Sequence, residues 1–116
     1  MKALTITTAG ALARIELATG VDARLPQLQA AVGGHIEFLD LTDTLTMILN
    51  EEGKFEDPIP VNPVATALTI AYEVGMLPGD FIAGDIVLAG MDEDGELTDV
   101  PADVDELLAL LIPTKE

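Results

Sequence analysis

Apolar and polar residues change rhythm along this chain, and each change marks an element. Leu4 and Ile6 alternate with Thr5 and Thr7, so residues 2–8 and 13–18 read as two strands around Ala9-Gly10. Leu25, Leu28 and Val32 then fall at the spacing of one helical face. Pro26 suits the first turn of that helix, and Gly33-Gly34 suits its end. Residues 35–41 and 44–49 predict a second hairpin around Thr42-Asp43, with Leu39 out of phase with Ile36 and Phe38. Asn50-Glu51-Glu52-Gly53 reads as a turn, opening a loop punctuated by Pro58, Pro60 and Pro63.

Asn62-Pro63 is a helix start, an N-cap followed by proline, and that helix should run to about Val74 and stop at Gly75. Residues 82–89 form an apolar strand interrupted by Gly84-Asp85, followed by an Asp92-Glu93-Asp94-Gly95 turn. The last element is a helix with Val104, Leu107, Leu108 and Leu111 on one face. Asp103 and Glu106 stand there at capping-box spacing. The order is near ββαββαβα, an α+β fold with antiparallel hairpins, in a single domain over residues 1–116. Leu108, Leu110, Leu111 and Ile112 exceed what one buried helix face requires, and the surplus is available for a homo-oligomer interface.

Composition adds the charge. The 116 residues are 49% hydrophobic, enough for a core without disulfides or a structural metal. Acids outnumber bases by 21 to 5, giving −16. A direct nucleic-acid partner is therefore excluded, because such binding depends on Lys and Arg neutralising phosphates. The charge is also uneven. Up to His35 the chain is +1, with Glu16 and Asp22 against Lys2, Arg14 and Arg24; from Ile36 onward it is −17.

Absences narrow the chemistry. The chain has no serine, cysteine or tryptophan, and its single histidine is His35. Ser-His-Asp and Cys-His nucleophiles are impossible, as is a Cys/His zinc site. No enzyme, cofactor or metal is predicted. An EF-hand with Gly95 at its sixth position would have Gly90 first and Pro101 last, which fails at both ends. Thr5, Thr7, Thr8 and Gly10 break up the N-terminal stretch as a secretory signal, and prolines break up the uncharged run over residues 58–72. A soluble, cytoplasmic protein with no membrane contact is expected.

Several segments in order carry a resemblance. These are Val32-Gly33-Gly34-His35-Ile36-Glu37, Asn50-Glu51-Glu52-Gly53-Lys54 and Pro60-Val61-Asn62-Pro63-Val64-Ala65-Thr66. Ile82-Ala83-Gly84-Asp85-Ile86-Val87-Leu88 and Asp92-Glu93-Asp94-Gly95-Glu96-Leu97-Thr98 continue the series. Together they resemble the family called domain of unknown function 3846, over about residues 2–111. The resemblance implies a phage, plasmid or mobile-element setting and brings no established activity or catalytic residues.

Two functional readings follow from the residues. In the first, a non-enzymatic binding protein presents an acidic face to a basic protein surface, such as a host nucleic-acid-binding or defence protein, in the manner of a nucleic-acid mimic. Glu51, Glu52, Glu56, Asp92, Glu93, Asp94, Glu96, Asp99, Asp103 and Asp105 would carry it. In the second, a nucleotide or metal binds at the Asn62–Thr66 helix start and the Asn50–Lys54 turn, through Asn50, Lys54, Asn62 and Thr66. The plainest alternative is acidity that serves solubility alone. Gly33-Gly34-His35 ends a helix, where the dipole disfavours anions, so His35 reads as structural.

Overall fold

The computed structural model describes residues 1–75 and 79–111. Its elements are β1 (Lys2–Ile6), β2 (Leu12–Glu16), α1 (Val21–Val32), β3 (Ile36–Thr42), β4 (Leu45–Asn50), α2 (Pro63–Ala71), β5 (Ile86–Met91), β6 (Leu97–Thr98) and α3 (Asp103–Leu111). A 3-10 turn at Gly53–Phe55 follows β4. Among the described residues this is a six-stranded antiparallel sheet with three α-helices, an α+β fold. The strand order is β2-β1-β5-β4-β3, with β6 on β5, so β5 enters between the two predicted hairpins and joins them.

The central strands explain the layers. In β4, residues Leu45 to Leu49 are all buried, and in β5 so are Ile86 to Gly90. A strand buried on both faces reads as an unbroken apolar run, because successive side chains point to opposite sides. On one face Leu45, Met47, Ile86 and Leu88 meet Ala65 and Leu68 of α2 and Val104 and Leu108 of α3. On the other, Ile48, Val87 and Ala89 meet Leu28 and Val32 of α1. Leu39 is out of phase with Phe38 because β3 serves both faces: Leu39 and Leu41 join the α2–α3 side and Ile36 the α1 side.

Several expected boundaries move. The first helix begins at Val21, four residues before Leu25, so Pro26 lies inside it rather than in its first turn. Its buried stripe is Arg24, Leu28 and Val32, while Leu25 is 42% exposed. The second helix ends at Ala71, before Val74. Glu73 takes the left-handed conformation (φ 56°), while the Glu73 and Val74 N–H groups bond the Ile70 and Thr69 carbonyls. That is a Schellman ending with glutamate where glycine is usual. The third helix already includes Asp103, so Asp103 is not the residue before it. The amides of Val104 and Asp105 bond the Pro101 and Ala102 carbonyls instead.

The strand expected over residues 82–89 starts only at Ile86, after Gly84 at φ 84°. The short β6 lies so close that a Cβ on Gly90 would stand 2.1 Å from the Asp99 carbonyl oxygen; only glycine fits there. Of the apolar surplus at the C-terminal end, Leu108 is buried and Leu110 is 83% exposed. The side chain of Leu111, and Ile112, lie outside the described residues.

Candidate functional site

All ten acids singled out from the sequence are exposed, and the fold divides them among three places. Glu51, Glu52 and Glu56 follow the last residue of β4. Asp92, Glu93, Asp94 and Glu96 form the β5–β6 turn beside the start of β4, where the Met91 N–H bonds the Thr44 carbonyl. The length of β4, about 17 Å, separates these two groups. Asp99 and Asp105 belong to a third region, at β1 and β2. An Asp99 Oδ1 accepts from the Lys2 N–H at 2.7 Å, and Asp105 pairs with Arg14. Asp103 stands in the same first turn of α3 as Asp105.

The β5–β6 turn builds itself from its acids. Asp92 Oδ1 accepts from the N–H groups of Asp94 and Glu96, both at 2.9 Å, and Gly95 supplies the positive φ of 79°. This turn meets the β3–β4 turn across a broad depression of about 960 Å³, lined by Asp40, Asp43, Asp92 and Glu93 and, among the described residues, by no basic side chain. Asp40 and Asp43 were not among the candidates. Sequence spacing separates them from residues 92–96 by about fifty positions, and only the pairing of β4 with β5 brings them together. Among the described residues no group of three or more His, Asp or Glu side chains is arranged to hold a metal ion.

The turn after β4 is engaged within the protein. Asn50 Oδ1 accepts from the Glu52 N–H at 2.8 Å, and its Nδ2 donates to the Val32 carbonyl at 3.3 Å, tying the turn to the end of α1. Glu51 lies 3.4 Å from His35 Nδ1, both exposed. Lys54 pairs with Asp80 and sits 5.0 Å above the Phe81 ring. The Lys54 ammonium and the Phe81 N–H hold the Asp80 carboxyl below its ordinary range. Asn50, Glu51, Lys54 and Asp80 border a cavity of about 280 Å³ shared with Phe38, Phe55 and Phe81.

Asn62 and Thr66 lie apart from that cavity and bond inward. Asn62 is fully buried: Oδ1 caps the Ala65 N–H at 3.0 Å, and Nδ2 donates to the carbonyls of Ile6 (3.0 Å) and Gly84 (2.8 Å). Thr66 Oγ1 donates to the Asn62 carbonyl and accepts from the Ile82 N–H. Both amide hydrogens of the cap are thus committed to the fold, and the hydroxyl beside it is doubly bonded. On the far side of α2, burial raises the Tyr72 hydroxyl pKa, with Asp103 adding to the rise.

The match to known families covers nearly everything just described. Residues 1–112 fit the family model described as Domain of unknown function (DUF3846). The chain belongs to this family. The matched stretch includes both hairpins, all three helices and both acidic turns. No curated protein and no solved structure matches the chain. Among the described residues no helix is long and apolar enough to cross a membrane.

Proposed function

We propose that this family member is a non-enzymatic, cytoplasmic binding protein of a phage or mobile element that engages a basic surface on a partner protein. The observation that carries this reading is the convergence of Asp40, Asp43, Asp92 and Glu93 on one depression, beside Asp94 and Glu96, with no basic side chain lining it among the described residues. Separate turns deliver these acids to one end of the sheet, where their fields add and steer a cationic partner. Glu51, Glu52 and Glu56 extend the negative field at the opposite end, and Asp99, Asp103 and Asp105 along the β1–β2 side.

The test is capture of partners at two salt concentrations. At about 50 mM salt the wild type should retain basic proteins that are released at about 500 mM, as screening shortens the field. A variant with Asp43→Asn, Glu93→Gln and Asp94→Asn should lose them at low salt. Partners equally retained at both salts, or retained by the triple variant, would exclude the acidic end as the docking surface.

A further inference from the structure

We propose that the cavity around Arg24 binds a small apolar carboxylate, held by the buried guanidinium against a wall of aliphatic and aromatic side chains. Arg24 lies in the first turn of α1, is 8% exposed, and among the described residues is the one buried charged side chain. In a chain with 21 acids, none of the ion pairs among the described residues includes it. Its Nη1 donates only to the Thr19 carbonyl, at 3.4 Å. Among the described residues no fully buried side-chain nitrogen or oxygen lacks a partner, so the remaining guanidinium donors keep some open surface. Arg24 lines a cavity here. Asp40 and Glu96 border the same cavity without forming an ion pair with Arg24, and a buried guanidinium with no direct carboxylate partner is costly. A carboxylate would complete it through two parallel hydrogen bonds.

The cavity has about 350 Å³, within the range of small-molecule sites. Leu28, Ile36, Phe38 and Leu97 supply its apolar wall, between α1 and the strand ends. Asp40 and Glu96 line it as well. Their charges oppose any anion beside Arg24, and a doubly negative phosphate or dicarboxylate more than a single carboxylate, so a monocarboxylate is preferred. The same two acids would accept an ammonium, so the shared chemistry covers amine-free acids and apolar amino acids. The cavity shares Asp40 with the acidic depression, but its ligand is held by Arg24, which does not line that depression.

Calorimetric titration of the full chain with octanoate, phenylpropionate, phenylalanine, octanol and inorganic phosphate tests it. Octanoate or phenylalanine should bind and raise Tm by mass action, with octanol and phosphate weaker by about tenfold or more. Tighter binding of phenylalanine than of phenylpropionate assigns the site to amino acids, and the reverse to amine-free acids. Arg24→Met keeps the aliphatic bulk, and should weaken the carboxylates about tenfold while leaving octanol unchanged. Octanol binding as tightly as octanoate, undiminished carboxylate binding by Arg24→Met, or no carboxylate binding at all would overturn the proposal. The octanoate–octanol comparison uses only the wild type, so it decides the matter even if the variant does not fold.

Discussion

On one face of the sheet two helices lay Ala65, Leu68, Val104 and Leu108 over Leu4, Ile6, Met47 and Leu88; on the other a single helix lays Leu28 and Val32 over Ala3, Ile48 and Val87. The same strands build both faces, so the difference lies in what covers them. Two helices close the first face with apolar side chains. One helix leaves the end of the second uncovered, and the next residue of its buried stripe is Arg24. The closed face therefore serves stability, while the open face keeps room, and a charge, for something else. Truncating one core leucine on each face should reveal this. Leu68→Ala, at a fully buried site on α2, should cost about 3–4 kcal/mol, and Leu28→Ala on α1 about 2–3 kcal/mol, because solvent and side chains beside the cavity can relax into the space left. Urea midpoints at constant slope measure both. Equal losses would mean that the two faces are packed alike.

Buried polar groups sharpen the same contrast. Asn62 on the closed face and Thr46 on the open face are both fully buried, and both hydrogen bond. Asn62→Ala removes the donor to the buried Ile6 and Gly84 carbonyls and the cap of α2, so a loss of about 2–3 kcal/mol is expected. Thr46 Oγ1 donates to Asp40 Oδ1 at 3.0 Å, and Asp40 is exposed, so its carboxylate can return to water. Thr46→Val should therefore stay within about 1 kcal/mol of wild type. A Thr46→Val loss as large as that of Asn62→Ala, in the same urea titrations, would place the open face among the closed cores.

The closed face and the Leu28–Val32 stripe of the open face were legible in the sequence, while the Arg24 end of the open face was hidden, for physical reasons. Alternation and helical spacing revealed both hairpins, the Asn62-Pro63 cap and the apolar stripe holding Val104 and Leu108, all of which pack by local rules. Arg24 was invisible, because apolar periodicity assigns an arginine to solvent and offers Leu25 in its place. The helix start at Gly20 escaped notice too, since Val21-Asp22-Ala23 carries no apolar period and Gly20 makes no side-chain cap. At the acidic end, residues 92–96 stood out as a run, whereas Asp40 and Asp43 needed the β4–β5 pairing, a contact that no local pattern encodes. Glu73 in the left-handed region defied the preference for glycine that placed the helix end at Gly75.

The smallest expected effect lies at the rim of the closed face, where Lys54 and Asp80 tie the loop after β4 to the segment leading into β5. Both side chains reach solvent, so the pair contributes little at neutral pH. Its signature is the pH at which the contribution disappears. Asp80 has a carboxyl pKa held below its ordinary 3.8, first by the hydrogen bond from Lys54 and then by the Phe81 N–H. A group whose folded pKa is lowered contributes stability that is fully present above its unfolded pKa and is lost as pH falls through the folded one. Asp80→Asn keeps an oxygen for the Phe81 N–H and removes the charge facing Lys54. The wild type's small advantage over this variant should stay level from about pH 7 to about pH 5 and narrow below about pH 4. Paired urea titrations across that range measure it. An advantage that already fades between pH 7 and pH 5 would mean that the Asp80 carboxylate is not its source.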